Sequence, residues 1–187
     1  TQPAAFLPDL AMSVSNLAAF LSDVGRREEA LAAAQEAVAI RRDLAETQPA
    51  AFLPDLAMSV SNLATFLSKV GRREEALAAA QEAERLYRDL AETQPAAFLP
   101  DLARSLLILS FCQTAVDRHI DAARIAEEAI RLLAPFFRQL PAAFAGWMDY
   151  FLDTYRKACN AAGQPPDHDL IDPLQQILDQ LKNPPAV

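Results

Sequence analysis

Asp167, His168, Asp169 and Asp172 form the one cluster in this chain whose residue types and spacing could suit a metal ion or acid–base work. One imidazole and a few acids on a short stretch make a poor closed coordination shell. The cluster follows Pro165-Pro166, where a last helix begins, and carboxylates there favour the positive helix end. His119 falls at a polar place at the start of another helix with no nucleophile paired to it, so it reads as a solvated surface histidine and not a general base. Cys112 and Cys159 lack CxxC or metal-type spacing and read as small buried hydrophobes in a reducing compartment, with a disulfide between them as the alternative. The four glycines, Gly25, Gly71, Gly146 and Gly163, build no phosphate-cradling loop. No catalytic, metal or cofactor site is expected, and the chain reads as a non-enzyme.

The elements that would position any such residues explain why. Residues 47–92 repeat residues 1–46 with six differences, namely Ala19/Thr65, Asp23/Lys69, Val38/Glu84, Ala39/Arg85, Ile40/Leu86 and Arg41/Tyr87. Residues 93–103 open a third copy identically before diverging. A fixed period of this length predicts a stacked array of like units, a solenoid. Near-identical units cannot each hold a one-off catalytic constellation. The reading is one solenoid with units at 1–46, 47–92 and 93–138 and a degenerate capping unit at 139–187.

Each unit divides into two helices, giving an all-α chain of antiparallel pairs with about eight helices. Leu10, Val14, Leu17, Ala18, Leu21 and Val24 recur at three- and four-residue steps on a first helix. Pro8 suits its first turn, and Gly25 supplies the left-handed residue that closes it. The second helix opens on Arg26-Arg27-Glu28-Glu29 with a stripe of Ala30, Leu31, Ala34, Ala37, Val38 and Leu44. It must end near Thr47, because Gln48 precedes Pro49 and is pushed from α geometry. Pro-Ala-Ala-Phe recurs at Pro3, Pro49, Pro95 and Pro141, where it reads as a connector. The turn glycine returns as Gly71 and Gly163, with Asp117 in the third unit, a side chain that tolerates left-handed backbone. In the fourth unit a helix at about 142–162 is followed by a shorter one at about 169–182.

Composition narrows the function classes. The 187 residues are 52% hydrophobic, ample for a core, and carry a net charge of −8. No basic patch emerges, so nucleic acid and anionic membrane surfaces are disfavoured as partners. The longest apolar run, around Leu106–Cys112, is too short to span a bilayer. The chain begins on Thr1 inside a repeat motif and shows no signal peptide, so it reads as a segment of a longer cytoplasmic protein.

The spacing resembles the tetratricopeptide repeat (TPR), a helix–turn–helix unit with alanines where its two backbones touch. The residues that carry the resemblance are Asn16-Leu17-Ala18, Leu21, Gly25, Ala30 and Ala37 in the first unit. In the second they are Asn62-Leu63-Ala64, Leu67, Gly71, Ala76 and Ala83, and Ala122 and Ala129 continue the pattern in the third. The unit is about 12 residues longer than the usual ~34, through a longer second helix and the Pro-Ala-Ala-Phe-Leu-Pro connector. It is similar to the long-repeat variants of kinesin light chains and of bacterial multidomain signalling proteins. The resemblance implies a right-handed superhelix whose first helices line a concave groove for peptides or protein segments.

Carried over by the family's spacing, the groove positions include Met12, Ser15, Ala19, Ser22 and Asp23 in the first unit and Met58, Ser61, Thr65, Ser68 and Lys69 in the second. Arg104, Leu107, Phe111 and Thr114 follow in the third, and Tyr150, Asp153 and Lys157 in the fourth, with Trp147 beside them. The third and fourth units hold the aromatic and charged side chains that binding hot spots favour. A family subset clamps a partner's C-terminal carboxylate. Asn16, Asn62 and Arg104 match that clamp, but Ser15 and Ala19 stand where it wants Lys and Asn, and Ile108 where it wants a basic residue. That disfavours a carboxylate clamp, which needs several converging charged donors. The aromatic group Phe136, Phe137, Phe144, Trp147, Tyr150, Phe151 and Tyr155 reads as the core of the cap, with an exposed interface patch as the alternative.

The leading reading is a non-catalytic scaffold that binds a protein or peptide segment, another domain of the same chain included. One alternative is a structural spacer that self-associates by stacking through the N-terminal repeat at its Thr1 face. Another, by family analogy, is the sensor segment of a bacterial multidomain signalling ATPase or protease.

Overall fold

The computed structural model describes residues 6–183. Among them lie eight helices and no strand: α1 (Leu7–Asp23), α2 (Arg27–Thr47), α3 (Pro49–Lys69), α4 (Arg73–Thr93), α5 (Pro95–Ala115), α6 (His119–Gln139), α7 (Pro141–Ala162) and α8 (His168–Lys182). They form an all-α solenoid of antiparallel pairs. The chain divides into two compact units, residues 1–93 and 94–187. In the first, α1 packs on α2, α2 on α3 and α3 on α4. In the second, α5 packs on α6, α6 on α7 and α8, α7 on α8, and α5 also touches α7.

The turns are built as the sequence predicts. Gly25 and Gly71 sit at φ +80° and Gly163 at +68°. Asp117, at φ 61°, holds the same left-handed position in the third turn. The arrangement is repeated by hydrogen bonds: Arg26 N–H donates to Leu21 C=O at 2.8 Å, Arg72 to Leu67 at 3.0 Å and Arg118 to Gln113 at 3.0 Å. Each tie closes a helix over the next one.

The first helices begin earlier than expected. The Pro-Ala-Ala-Phe-Leu-Pro segment is no separate connector; it forms the opening turns of α3 and α5, with Pro49 and Pro95 in the first turn and Pro54 and Pro100 inside. Gln48 and Gln94, at φ −140° and −137°, make the break instead, and their carbonyls accept from Phe52 and Phe98 at 3.2 Å. Proline fits the first turn because no helical partner exists there for its missing N–H. A second proline five residues on removes one interior bond and still leaves the turn intact on either side. Pro3, in the first copy of this segment, and Thr1 lie outside the described residues.

Small residues let the helices approach. Ala11, Ala18, Ala30, Ala57, Ala64, Ala76 and Ala83 are all at most 1% exposed. The second unit is filled by larger side chains, among them Phe137, Phe151, Ile130, Leu133, Met148 and Leu152. Both α3 and α5, at 21 residues and mean hydropathy 1.3, are long and apolar enough to cross a bilayer, which the short Leu106–Cys112 run did not anticipate. Each is packed against two other helices, and a helix buried on two sides is apolar on both.

Candidate functional site

Two faces, one in each unit, gather the residues selected by spacing. In the first unit α1 and α3 flank a cleft of about 140 Å³ lined by Ser15, Ala18, Ala19, Ser59, Asn62 and Phe66, with Ala34 and Ala37 of α2 as its floor. Alanine on the floor leaves the room. Ser15, Ala19 and Ser22 follow one stripe of α1, and Asn62, Phe66 and Lys69 one stripe of α3. The two stripes meet where Lys69 Nζ donates to Ser22 Oγ at 2.8 Å, with the ammonium 5.6 Å from the Phe66 ring centre. Ser59 and Phe66 were not selected from the sequence, although Phe66 stands one turn beyond Asn62 and one short of Lys69.

The other selected residues of this unit sit differently. Met12 is exposed, Ser15 and Met58 are half-buried, and Thr65 is half-buried with its hydroxyl turned back to Ser61 C=O at 3.4 Å. Ser61 is 2% exposed and offers a partner no surface.

In the second unit α5 and α7 carry the cation and the aromatics. The Arg104 guanidinium lies 5.6 Å from the Trp147 ring centre and 3.2 Å from Asp101. Trp147 meets Phe144 edge-on at 5.8 Å, and Phe144 meets Phe136 at 6.2 Å. Phe111 on α5 and Tyr150 on α7 are 55% and 61% exposed. Leu107, in contrast, is buried and leaves the face. Lys157 is exposed and held by Asp153 at 2.6 Å.

The aromatic group therefore divides. Phe137, Phe151 and Tyr155 are core, Phe136 and Phe144 are half-buried, and Trp147 and Tyr150 reach the surface. Tyr155 ties the end of the chain together. Its hydroxyl accepts from the Asp167 amide at 3.1 Å and lies 3.4 Å from Glu127, and burial pushes its pKa up to about 12. Arg131 spans Glu127 and Asp167 at 2.7 and 2.9 Å.

The acidic cluster takes part in this tie. Asp167 caps α8 by accepting from Leu170 N–H at 3.2 Å, and His168 pairs with Asp172 at 3.3 Å on the surface. Among the described residues no group of three or more His, Cys, Asp or Glu side chains is placed to hold a metal ion. His119 is half-buried, with about a third (33%) of its side chain exposed: its Nδ1 is enclosed without a partner, and Nε2 lies 3.8 Å from Asp117. Both cysteines are unpaired and buried, and burial raises the Cys112 thiol to about 11, far from a nucleophile's range.

The deciding comparison concerns the first unit. Residues 10–48 and 56–93 match the tetratricopeptide repeat model, with α1 to α4 as the two helix pairs. The match supports a TPR family. TPR units are in general scaffolds for protein–protein contact and not catalysts. A search of curated proteins finds no match to the chain.

Proposed function

We propose that this chain is a non-catalytic TPR scaffold that holds an extended protein segment against its first helices. The carrying observation is the cleft between α1 and α3, inside the two matched repeats. Its alanine floor takes one small apolar side chain, and the Asn62 amide at its edge can both donate to and accept from a peptide backbone. A pocket that fixes one side chain beside backbone hydrogen bonds is how extended segments are read. In the second unit, Trp147 beside Arg104, with the exposed Phe111 and Tyr150, supplies the residue types that dominate binding energy. Their surroundings favour a segment with apolar or acidic side chains there. The units belong by length with the long-repeat TPR variants, and a cytoplasmic site of action fits two unpaired thiols.

The test is selection of phage-displayed peptides on the immobilised chain, followed by amide chemical-shift mapping of the enriched sequences. Saturable binding with shifts at Ser15, Asn62 and Phe66, or at Arg104, Phe111 and Trp147, is the expected outcome. Shifts confined to the outer surfaces of α2, α4 and α6, or no saturable binder, would overturn the reading.

A further inference from the structure

We propose that the outer face of α1 docks a helix with the chemistry of α2, one bearing a pair of adjacent alanines and an arginine two turns further on. The observation is one sequence in two environments. Residues 10–23 and 56–69 differ only at Ala19/Thr65 and Asp23/Lys69. In the second copy the shared side chains meet α2: Leu63 and Phe66 pack on the cluster that contains Ala33 and Ala34. Their counterparts Leu17 and Phe20 are 50% and 70% exposed, and Leu10 is 45% exposed where Leu56 is 5%. The molecule thus displays on α1 the apolar stripe that it buries on α3. The stripe of Leu10, Leu17, Phe20 and Val24 lies apart from Ser15 and Ala19 on the cleft, so the inference stands independently of peptide binding there.

The internal interface also specifies a polar anchor. Arg41 of α2 is 5% exposed and donates to Asp55 C=O at 3.2 Å and to the Ser59 hydroxyl. Asp9 C=O and Ser13 Oγ are the matching acceptors on α1, joined to each other at 2.8 Å on an exposed surface. An incoming helix of the α2 type would therefore find its alanine ridge, its leucine contacts and its arginine acceptors already in register. A helix with tyrosine at the arginine position, as α4 has at Tyr87, would lack the guanidinium nitrogen that donates to both acceptors.

The probe is a helix-stabilised synthetic peptide of residues 26–48, titrated into the full chain and read by amide chemical shifts. Saturable shifts at Leu10, Ser13, Leu17 and Phe20 are expected, weakened tenfold or more when the peptide carries Arg41→Ala. Leu17→Glu in the chain should abolish them. Leu17 is exposed, so that variant keeps its fold, which circular dichroism verifies. Absence of saturable shifts would overturn the proposal, as would shifts on α3 instead of α1 or equal binding by the Arg41→Ala peptide. Concentration-dependent self-association through α1 that the peptide does not compete away would assign the face to a second copy and likewise overturn it.

Discussion

The Arg104 guanidinium rests 5.6 Å from the centre of the Trp147 ring while Asp101 pairs with it at 3.2 Å. The arrangement joins α5 to α7 and fixes a cation over an indole that is 37% exposed. A half-exposed pair of this kind contributes about 0.5–1 kcal/mol to the fold. A partner that covers it gains from side chains already ordered.

Trp147→Ala should therefore lower the affinity for a selected peptide that contacts the second unit by tenfold or more, with only a small change in unfolding midpoint. Lys157→Ala, which removes one end of an exposed ion pair, should change neither. Calorimetric titration of both variants separates them; equal losses would place the hot spot elsewhere.

The repeated turns make a stability prediction. A Cβ at Gly71 would meet nothing within 4 Å, so Gly71→Ala is penalised only by its φ of +80°. The cost should be about 1 kcal/mol in urea unfolding. Asp117→Gly should shift stability the other way, by about 0.5 kcal/mol, since Asp117 already tolerates φ 61°. A Gly71→Ala protein as stable as the parent would show that this turn relaxes without its left-handed residue.

Arg41 and Tyr87 occupy the same place in successive repeats, at 5% and 3% exposure. Arg41→Ala takes a buried charged donor away from the Ser59 hydroxyl and the Asp55 carbonyl, at a cost of about 1–3 kcal/mol. Arg41→Tyr should recover much of that, because the fold already houses tyrosine there. Denaturant midpoints for the two variants that coincide would refute the equivalence.

Alkaline pH provides a further probe. The folded Tyr155 holds its proton up to about 12, above the ordinary ~10. Its contribution to stability is complete below pH 10 and is lost as pH rises toward 12. Cys112 adds a loss between about 9 and 11 by the same sign. Tyr155→Phe should remove the late phenolate seen by ultraviolet absorbance and flatten stability above pH 10. It should also cost about 1 kcal/mol at neutral pH, where the Asp167 amide loses its acceptor. An unchanged phenolate titration would assign the late proton to another tyrosine.

Helix pairs, turns and the second-helix ends were legible because glycine, the Asp117 substitution and the residue before proline act locally. The start of α3 was not, since Pro8, the counterpart of Pro54, reads as the first-turn proline, whereas Pro49 takes that place and Pro54 lies inside the helix. The sorting of site residues failed where periodicity gives no face. Leu106, Leu107, Ile108 and Leu109 are consecutive apolar residues, so α5 shows no stripe from which the burial of Leu107 could be read. Ser61 was lost similarly, a small side chain that fits core and surface equally. Arg41 was passed over as polar, although it continues the stripe through Val38 and Leu44. Phe66 was missed because spacing assigned positions from the family and not from the aromatic one turn past Asn62.

The central claim, that the cleft between α1 and α3 receives a partner's side chain, is tested most directly by filling it. Ala19 is exposed at the rim and tolerates a larger residue in the next repeat, as Thr65. In calorimetric titration with a peptide mapped to the first unit, Ala19→Trp should weaken binding more than tenfold while the helical circular dichroism stays unchanged. Unaltered affinity in a folded Ala19→Trp chain would contradict the account.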